Sequence, residues 1–259
     1  MLEHSFSIYH LEYYLVILVR VAGVIAFAPI FGNRTVTRRV KLFLSIAMAY
    51  IIYSIHPYVP LDYTTFLQYT VIMLRELVVG VTLGFVSSIA LSIIGMAGQF
   101  IDREMGFSMV SNFDPGMNTD TTITAEFYNM LVMLIMLCSN MHYFILSALA
   151  DSFELIPVGQ VTVDSGRMYD VMLEYMVDYF VIAMRISLPI LISIMLLNVV
   201  LGVLAKTAPQ MNMFVIGIQL KVFVGLAVLF VTLSLLTNVT EFIYRQMQQV
   251  VTEALQVFY

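Results

Sequence analysis

The chain has 259 residues, 61% hydrophobic and 11% charged, with a mean hydropathy of +0.93 and a formal net charge of −5. Soluble domains carry roughly 25% charged residues, so the composition excludes a soluble enzyme and describes a single all-α integral membrane domain, 1–259, lying against membrane lipid. The acidic balance leaves no basic face to recruit nucleic acid.

The lone cysteine, Cys138, lies in an apolar run and can form no intramolecular disulfide. Glu3 and Glu12 stand where a cleavable signal would place basic residues, so the first span is expected to double as the insertion signal. Tryptophan is absent, which leaves the 15 tyrosines to supply any interfacial aromatic belt.

In chain order, residues 11–31 predict a first span, interrupted by Arg20 and closed by Pro29 and Gly32. An arginine at that depth costs about 2.5–3.5 kcal/mol on insertion scales, so it must face protein or water. Residues 33–41 hold the densest basic cluster, Arg34, Arg38, Arg39 and Lys41, and residues 42–55 are marginal for a crossing. A rigid turn through His56, Pro57, Pro60 and Asp62 leads to a third element over 66–101, longer than one crossing needs. Arg75 and Glu76 interrupt it early. Gly80, Gly84, Ser88 and Ser92 follow at successive i+4 positions, a small-residue stripe that lets another helix approach closely, within the chain or in an assembly.

Residues 77–101 and 127–150 carry no charged side chain and flank a polar stretch, 95–122, that contains the helix-stopping Asp114-Pro115-Gly116. Met105, Phe107, Met109, Phe113 and Met117 make this stretch more apolar than a solvated connector requires. It reads either as a plain connector or as an ordered segment held in a protein cavity, where irregular backbone survives at membrane depth. After the fourth span (127–150) comes a polar connector, 151–170, and then a fifth element over 172–205 that includes Glu174, Asp178, Arg185 and Pro189. Residues 206–209 break the chain, and the sixth element runs over 214–249 with Lys221 inside it, so that the fifth and sixth form a helical hairpin. With both termini outside, the Arg34–Lys41 cluster, Arg103 and Lys206 fall on the cytoplasmic side, while Arg167 and Arg245 fall opposite, in keeping with the positive-inside rule.

No catalytic or cofactor chemistry is legible. His4, His10, His56 and His142 lack partners at metal spacing, and there is no HExxH, Walker A or G-x-S-x-G pattern. The expectation is a protein without catalytic residues, metal or cofactor. Arg20, Glu76, Arg185 and Lys221, charged at nominal membrane depth, are functional candidates by default. Interhelical pairing and an aqueous pathway both explain them. A secondary transporter or channel with helices broken near Pro29 and Pro189 is the rival reading, although no related halves are visible.

Several motifs together resemble the FliR family, the membrane export-gate component of flagellar type III secretion, with homologues in virulence injectisomes. They are Pro29 to Gly32 before the basic cluster, Glu76 with Gly80, Gly84 and Phe85, Gly98 to Asp102 with Gly106 and Phe107, Asp114-Pro115, Ser152-Phe153 through Pro157 and Gly159, and Pro209-Gln210 with Asn212, Phe214 and Gly217 leading to Lys221. The resemblance implies about six long, bent helices coiled into a hetero-oligomeric gate with FliP-type and FliQ-type subunits, beside FlhB-type and FlhA-type export proteins. It implies a bacterial inner-membrane, flagellar basal-body location, raised partly toward the periplasm, and unfolded polypeptides as cargo. Residues 1–170 would be FliP-like and 171–259 a FliQ-like hairpin. Gly106, Phe107, Met109, Phe113, Asp114, Pro115 and Met117 would belong to a pore plug, and Gly80, Gly84, Ser88, Ser92, Pro209, Asn212, Phe214 and Gly217 to helix packing and assembly.

Overall fold

The computed structural model describes residues 8–33, 35–107, 122–208, 210 and 212–258. Among them the chain forms only helices: α1 (Ile8–Phe27), α2 (Arg38–Ile55), α3 (Phe66–Met105), α4 (Ile123–Cys138), α5 (Tyr143–Leu155), α6 (Ser165–Thr207), α7 (Met213–Thr232), a 3-10 turn (Leu233–Leu235) and α8 (Leu236–Gln256). Four stretches are long and apolar enough to cross a membrane: Ile8–Phe27, Phe66–Met105, Gly166–Thr207 and Phe214–Leu255. Ile123–Cys138 and Tyr143–Leu155 make a fifth if counted together. The chain is therefore an all-α integral membrane protein.

The structure departs from the expected elements at three places. The first span ends at Phe27 rather than residue 31, because Pro29 and the left-handed backbone of Ile30 (φ 70°) turn the chain, with Gly32 N–H donating to the Ala28 carbonyl at 2.7 Å. The expected fourth span is two helices. Its uninterrupted apolar composition hides a break at 139–142, where Asn140 adopts φ 58°, a conformation asparagine tolerates better than most residues. The connector 151–170 is not a solvated loop, since α5 continues to Leu155 and Ile156, Val158 and Val161 are buried. α2, at 18 residues with Arg38, Arg39 and Lys41 in its first turn, falls short of a span by composition.

The chain packs as two compact units, one from Met1–Ala90, Asn140–Tyr175 and Arg245–Tyr259, the other from Leu91–Ser139 and Met176–Tyr244. In the first, α1 and α3 cross at backbone contact. A Cβ on Gly80 would lie 2.2 Å from the Arg20 carbonyl oxygen, and one on Gly84 would lie 2.7 Å from that of Val24. Gly23 answers from α1, where a Cβ would meet Val81 N at 3.0 Å. Small residues are required here because packing and backbone approach, rather than burial from water, hold helices together in an apolar medium. In the second unit, Gly98 brings α3 against α4, where a Cβ would sit 2.3 Å from Ala125 Cα, and Gly217 on α7 faces Leu201 on α6.

Burial is uneven along the spans. The apolar window of α3 is 61% buried, whereas those of Gly166–Thr207 and Phe214–Leu255 are 17% buried. Along α6, Ile192, Met195, Leu196, Val199, Val200 and Val203 are all exposed. α8 is instead amphipathic. It buries Leu236, Thr240, Ile243, Met247, Val250, Val251, Ala254 and Leu255 on one stripe and exposes Glu241, Arg245 and Gln249 on the other.

Two glycine substitutions separate backbone from side-chain crowding. Gly80→Ala drives a methyl into the Arg20 carbonyl and is expected to destabilise the full chain by about 1–3 kcal/mol. Gly225→Ala meets only the Met105 side chain, which can rotate away, so its thermal midpoint in detergent should stay near wild type. Thermal unfolding followed by circular dichroism checks the pair, and equal losses would contradict the α1–α3 contact.

Candidate functional site

The first unit is built around a buried ion pair. Arg20 on α1 and Glu76 on α3 are both fully buried, with Arg20 Nε donating to Glu76 Oε2 at 2.5 Å. Arg20 Nη1 donates to the carbonyls of Ser152 (2.8 Å) and Ile156 (3.0 Å) at the end of α5, and the Phe153 ring lies 4.2 Å from the guanidinium carbon. The second carboxylate oxygen, Oε1, accepts the Gly159 N–H at 2.8 Å. Gly159 takes φ +84°, which a residue without a Cβ adopts freely, and that turn aims its amide at Glu76. A charge taken out of water needs both a partner and hydrogen bonds to offset its desolvation, and this arrangement supplies both. Nη2 alone has no acceptor among the described residues.

The second unit holds the root of the 108–121 stretch. Asp102, fully buried on the last turns of α3, accepts the backbone N–H of Thr124 on Oδ2 at 2.8 Å and the Thr124 hydroxyl on Oδ1. Thr124 lies in the first turn of α4, where backbone N–H groups lack helical acceptors and the helix dipole favours a negative charge. Asp102 thus caps one helix from another and, with the Gly98–Ala125 contact, ties together the two ends of the stretch. Gly106 (φ +88°) has no atom of the described residues within 4 Å of its missing Cβ, and the Phe107 N–H donates to the Asp102 carbonyl at 2.9 Å, closing α3.

Arg20 and Glu76 meet each other inside the chain. Arg185 is exposed on α6 and Lys221 half-buried on α7, each without a hydrogen-bonding or ionic partner among the described residues. Gly80 and Gly84 are buried at the α1–α3 crossing, Ser88 is half-buried and Ser92 exposed. The Ser92 carbonyl accepts from the Tyr179 hydroxyl at 3.3 Å. The Asn212 side chain accepts the Val215 N–H at 3.5 Å to cap α7, Phe214 is exposed and Gly217 buried. Met109, Phe113, Asp114, Pro115, Met117 and Pro209 lie outside the described residues.

Sequence reasoning did not place Ser152, Phe153, Ile156 and Gly159 around the ion pair, nor Thr124 on Asp102. The available signal was the pair of charges itself: a cation and an anion in separate apolar helices, each requiring compensation.

A family model described as bacterial export proteins, family 1, matches residues 11–247. Similar proteins include the flagellar biosynthetic protein FliR of Bacillus subtilis, 28% identical over 231 residues that cover 86% of each chain. FliR of Escherichia coli is 28% identical over 232 residues, 88% of this chain and 87% of its own. The surface presentation of antigens protein SpaR of Shigella flexneri is 29% identical over 163 residues, 63% of this chain and 62% of its own.

Removing one member of the ion pair strands a buried charge. Glu76→Leu and Arg20→Met are each expected to cost about 3–5 kcal/mol, whereas the two together should cost far less than their sum. A double-mutant cycle on thermal unfolding in detergent measures this. Additive losses would mean that the pair is not coupled.

Proposed function

This chain belongs to the bacterial export proteins, family 1, and from that premise we propose that it works as a non-enzymatic subunit of the flagellar type III protein export gate. Its partners in this reading are FliP-type and FliQ-type subunits, with FlhB-type and FlhA-type export proteins alongside and unfolded polypeptides as cargo. The location is the bacterial inner membrane at the flagellar basal body, with part of the assembly raised toward the periplasm.

The observation that carries the reading, beside the family match, is the uncovered apolar surface of α6 and α7. Their windows are 17% buried within the chain, and Arg185 sits exposed among apolar neighbours. A charge facing lipid at that depth costs about 2.5–3.5 kcal/mol, so the Arg185 face suits a protein neighbour or water better than acyl chains. Residues 171–259 then act as the FliQ-like hairpin and 1–170 as the FliP-like part. The virulence injectisome is the second reading, supported by the similarity to SpaR over a shorter stretch.

Within this reading, residues 106–122 form the plug. Asp102 and Thr124 hold the two ends of the segment, and Gly106 supplies a left-handed backbone position (φ +88°) where the segment leaves α3. Methionine and phenylalanine side chains adapt to irregular apolar gaps and could both seal an idle pore and yield to a passing chain. Export of filament-type polypeptides should stop in cells lacking the chain and return with the wild-type copy; undiminished export would overturn the proposal. Replacing 107–121 by a short Gly-Ser linker should preserve assembly yet raise membrane conductance to small ions, and unchanged conductance would sink the plug.

A further inference from the structure

The first turns of α1 and the connector between α2 and α3 enclose a cavity of about 460 Å³ lined by Tyr9, Glu12, Tyr58, Pro60, Leu61 and Tyr63. Three phenol rings and one carboxylate face a common space, with no basic side chain among the described residues that line it. Glu12 is half-buried and has no cationic partner among the described residues. It accepts the Tyr63 hydroxyl on Oε2, and its backbone carbonyl accepts that of Tyr69 at 3.1 Å.

Two of the three phenol walls, Tyr58 and Tyr63, are held in place by the protein itself. The Tyr58 ring lies 4.4 Å from that of His10 and 5.3 Å, edge-on, from that of Tyr13. The Tyr13 hydroxyl donates to the Pro57 carbonyl at 3.4 Å, and His10 Nδ1 shares a hydrogen bond with the Tyr53 hydroxyl at 3.0 Å. Tyr63 packs on Tyr69 at 5.3 Å. The hydrogen bond to Glu12 pushes the Tyr63 phenol up to about 12, so its hydroxyl stays a donor to the carboxylate. Aromatic faces around a carboxylate suit an organic cation, and preformed walls lower the ordering cost of binding it.

The position of the cavity selects the source of that cation. Tyr9 and Glu12 belong to the first turns of a helix long and apolar enough to cross a membrane, at its end, where tyrosines sit at headgroup level. Ile8 and Leu11 on the same turns are 72% and 40% exposed, offering apolar surface for an acyl chain beside the pocket. We propose that this pocket binds the ammonium group of a zwitterionic phospholipid headgroup, with Glu12 as counter-ion and the rings of Tyr9, Tyr58 and Tyr63 as cation–π walls.

Native mass spectrometry of the delipidated full chain, titrated with phosphatidylethanolamine or phosphatidylglycerol, tests it. Wild type should retain the ethanolamine lipid about fivefold or more above the glycerol lipid, the ratio expected for about 1 kcal/mol of cation recognition. Glu12→Gln and Tyr58→Leu should abolish the preference while helical content by circular dichroism is unchanged. Excess soluble phosphoethanolamine should displace the lipid. Equal retention of both lipids, or an undiminished preference in a folded Glu12→Gln chain, would overturn the proposal. So would binding of phosphoethanolamine without lipid retention, which places a free amine in the pocket, or displacement by a lysine peptide at lower concentration than by the headgroup, which assigns it to polypeptide.

Discussion

An arginine inside an apolar helix must find its compensation within the protein, and much of the first unit follows from that constraint. Arg20 is fully buried, and its partners come from positions 56, 132 and 136 residues further along the chain. Glu76, Gly80 and Gly84 lie at successive i+4 positions on one face of α3. The carboxylate reaches Arg20 because Gly80 lets the α3 backbone come against the Arg20 carbonyl. The same carboxylate then fixes Gly159 through its second oxygen, so one ion pair sets the seat of α1, α3 and the turn after α5. Such a pair contributes little as an energy source, because desolvation offsets most of the attraction. Its effect is on specificity: any packing that separates Arg20 from Glu76 leaves a charge stranded in an apolar interior.

The second unit is organised by different means. Asp102 on Thr124 and Gly98 on Ala125 close the two ends of the 108–121 stretch, while α6 and α7 present apolar faces outward. In the gate subunit proposed above, these contacts would anchor the two ends of the Met- and Phe-rich segment, and the outward apolar faces would meet neighbouring subunits. Arg185, exposed on α6, marks the face where lipid would be the least favourable neighbour.

Much of this was legible in the sequence. The membrane class follows from composition, and the uncharged run 77–101 reads directly as the core of α3. The demand that Arg20 face a partner was also readable, but the identity of that partner was not, because the contact joins segments far apart in the chain and local pattern carries no such information. The break at Asn140 was hidden because it falls inside an apolar run, where a single left-handed residue rather than a polar cluster turns the chain. The connector 151–170 misled in the other direction. Its polar residues suggested a loop, while Ile156, Val158 and Val161 are buried and the Ile156 carbonyl accepts from Arg20. Gly80 and Gly84 lie opposite Arg20 and Val24, near the end of α1 at Phe27, so the close backbone approach is confined to the first half of the small-residue stripe.

A subunit of a hetero-oligomeric gate must be found in a complex with its neighbours. The most direct measurement is to co-express the tagged chain with the FliP-type and FliQ-type chains of the same cell, extract in mild detergent, and weigh the particle by native mass spectrometry. A discrete complex of fixed mass containing all three is the predicted result. A stable, folded particle of this chain alone, indifferent to the other two, would contradict the account and shift the weight to a self-contained transporter.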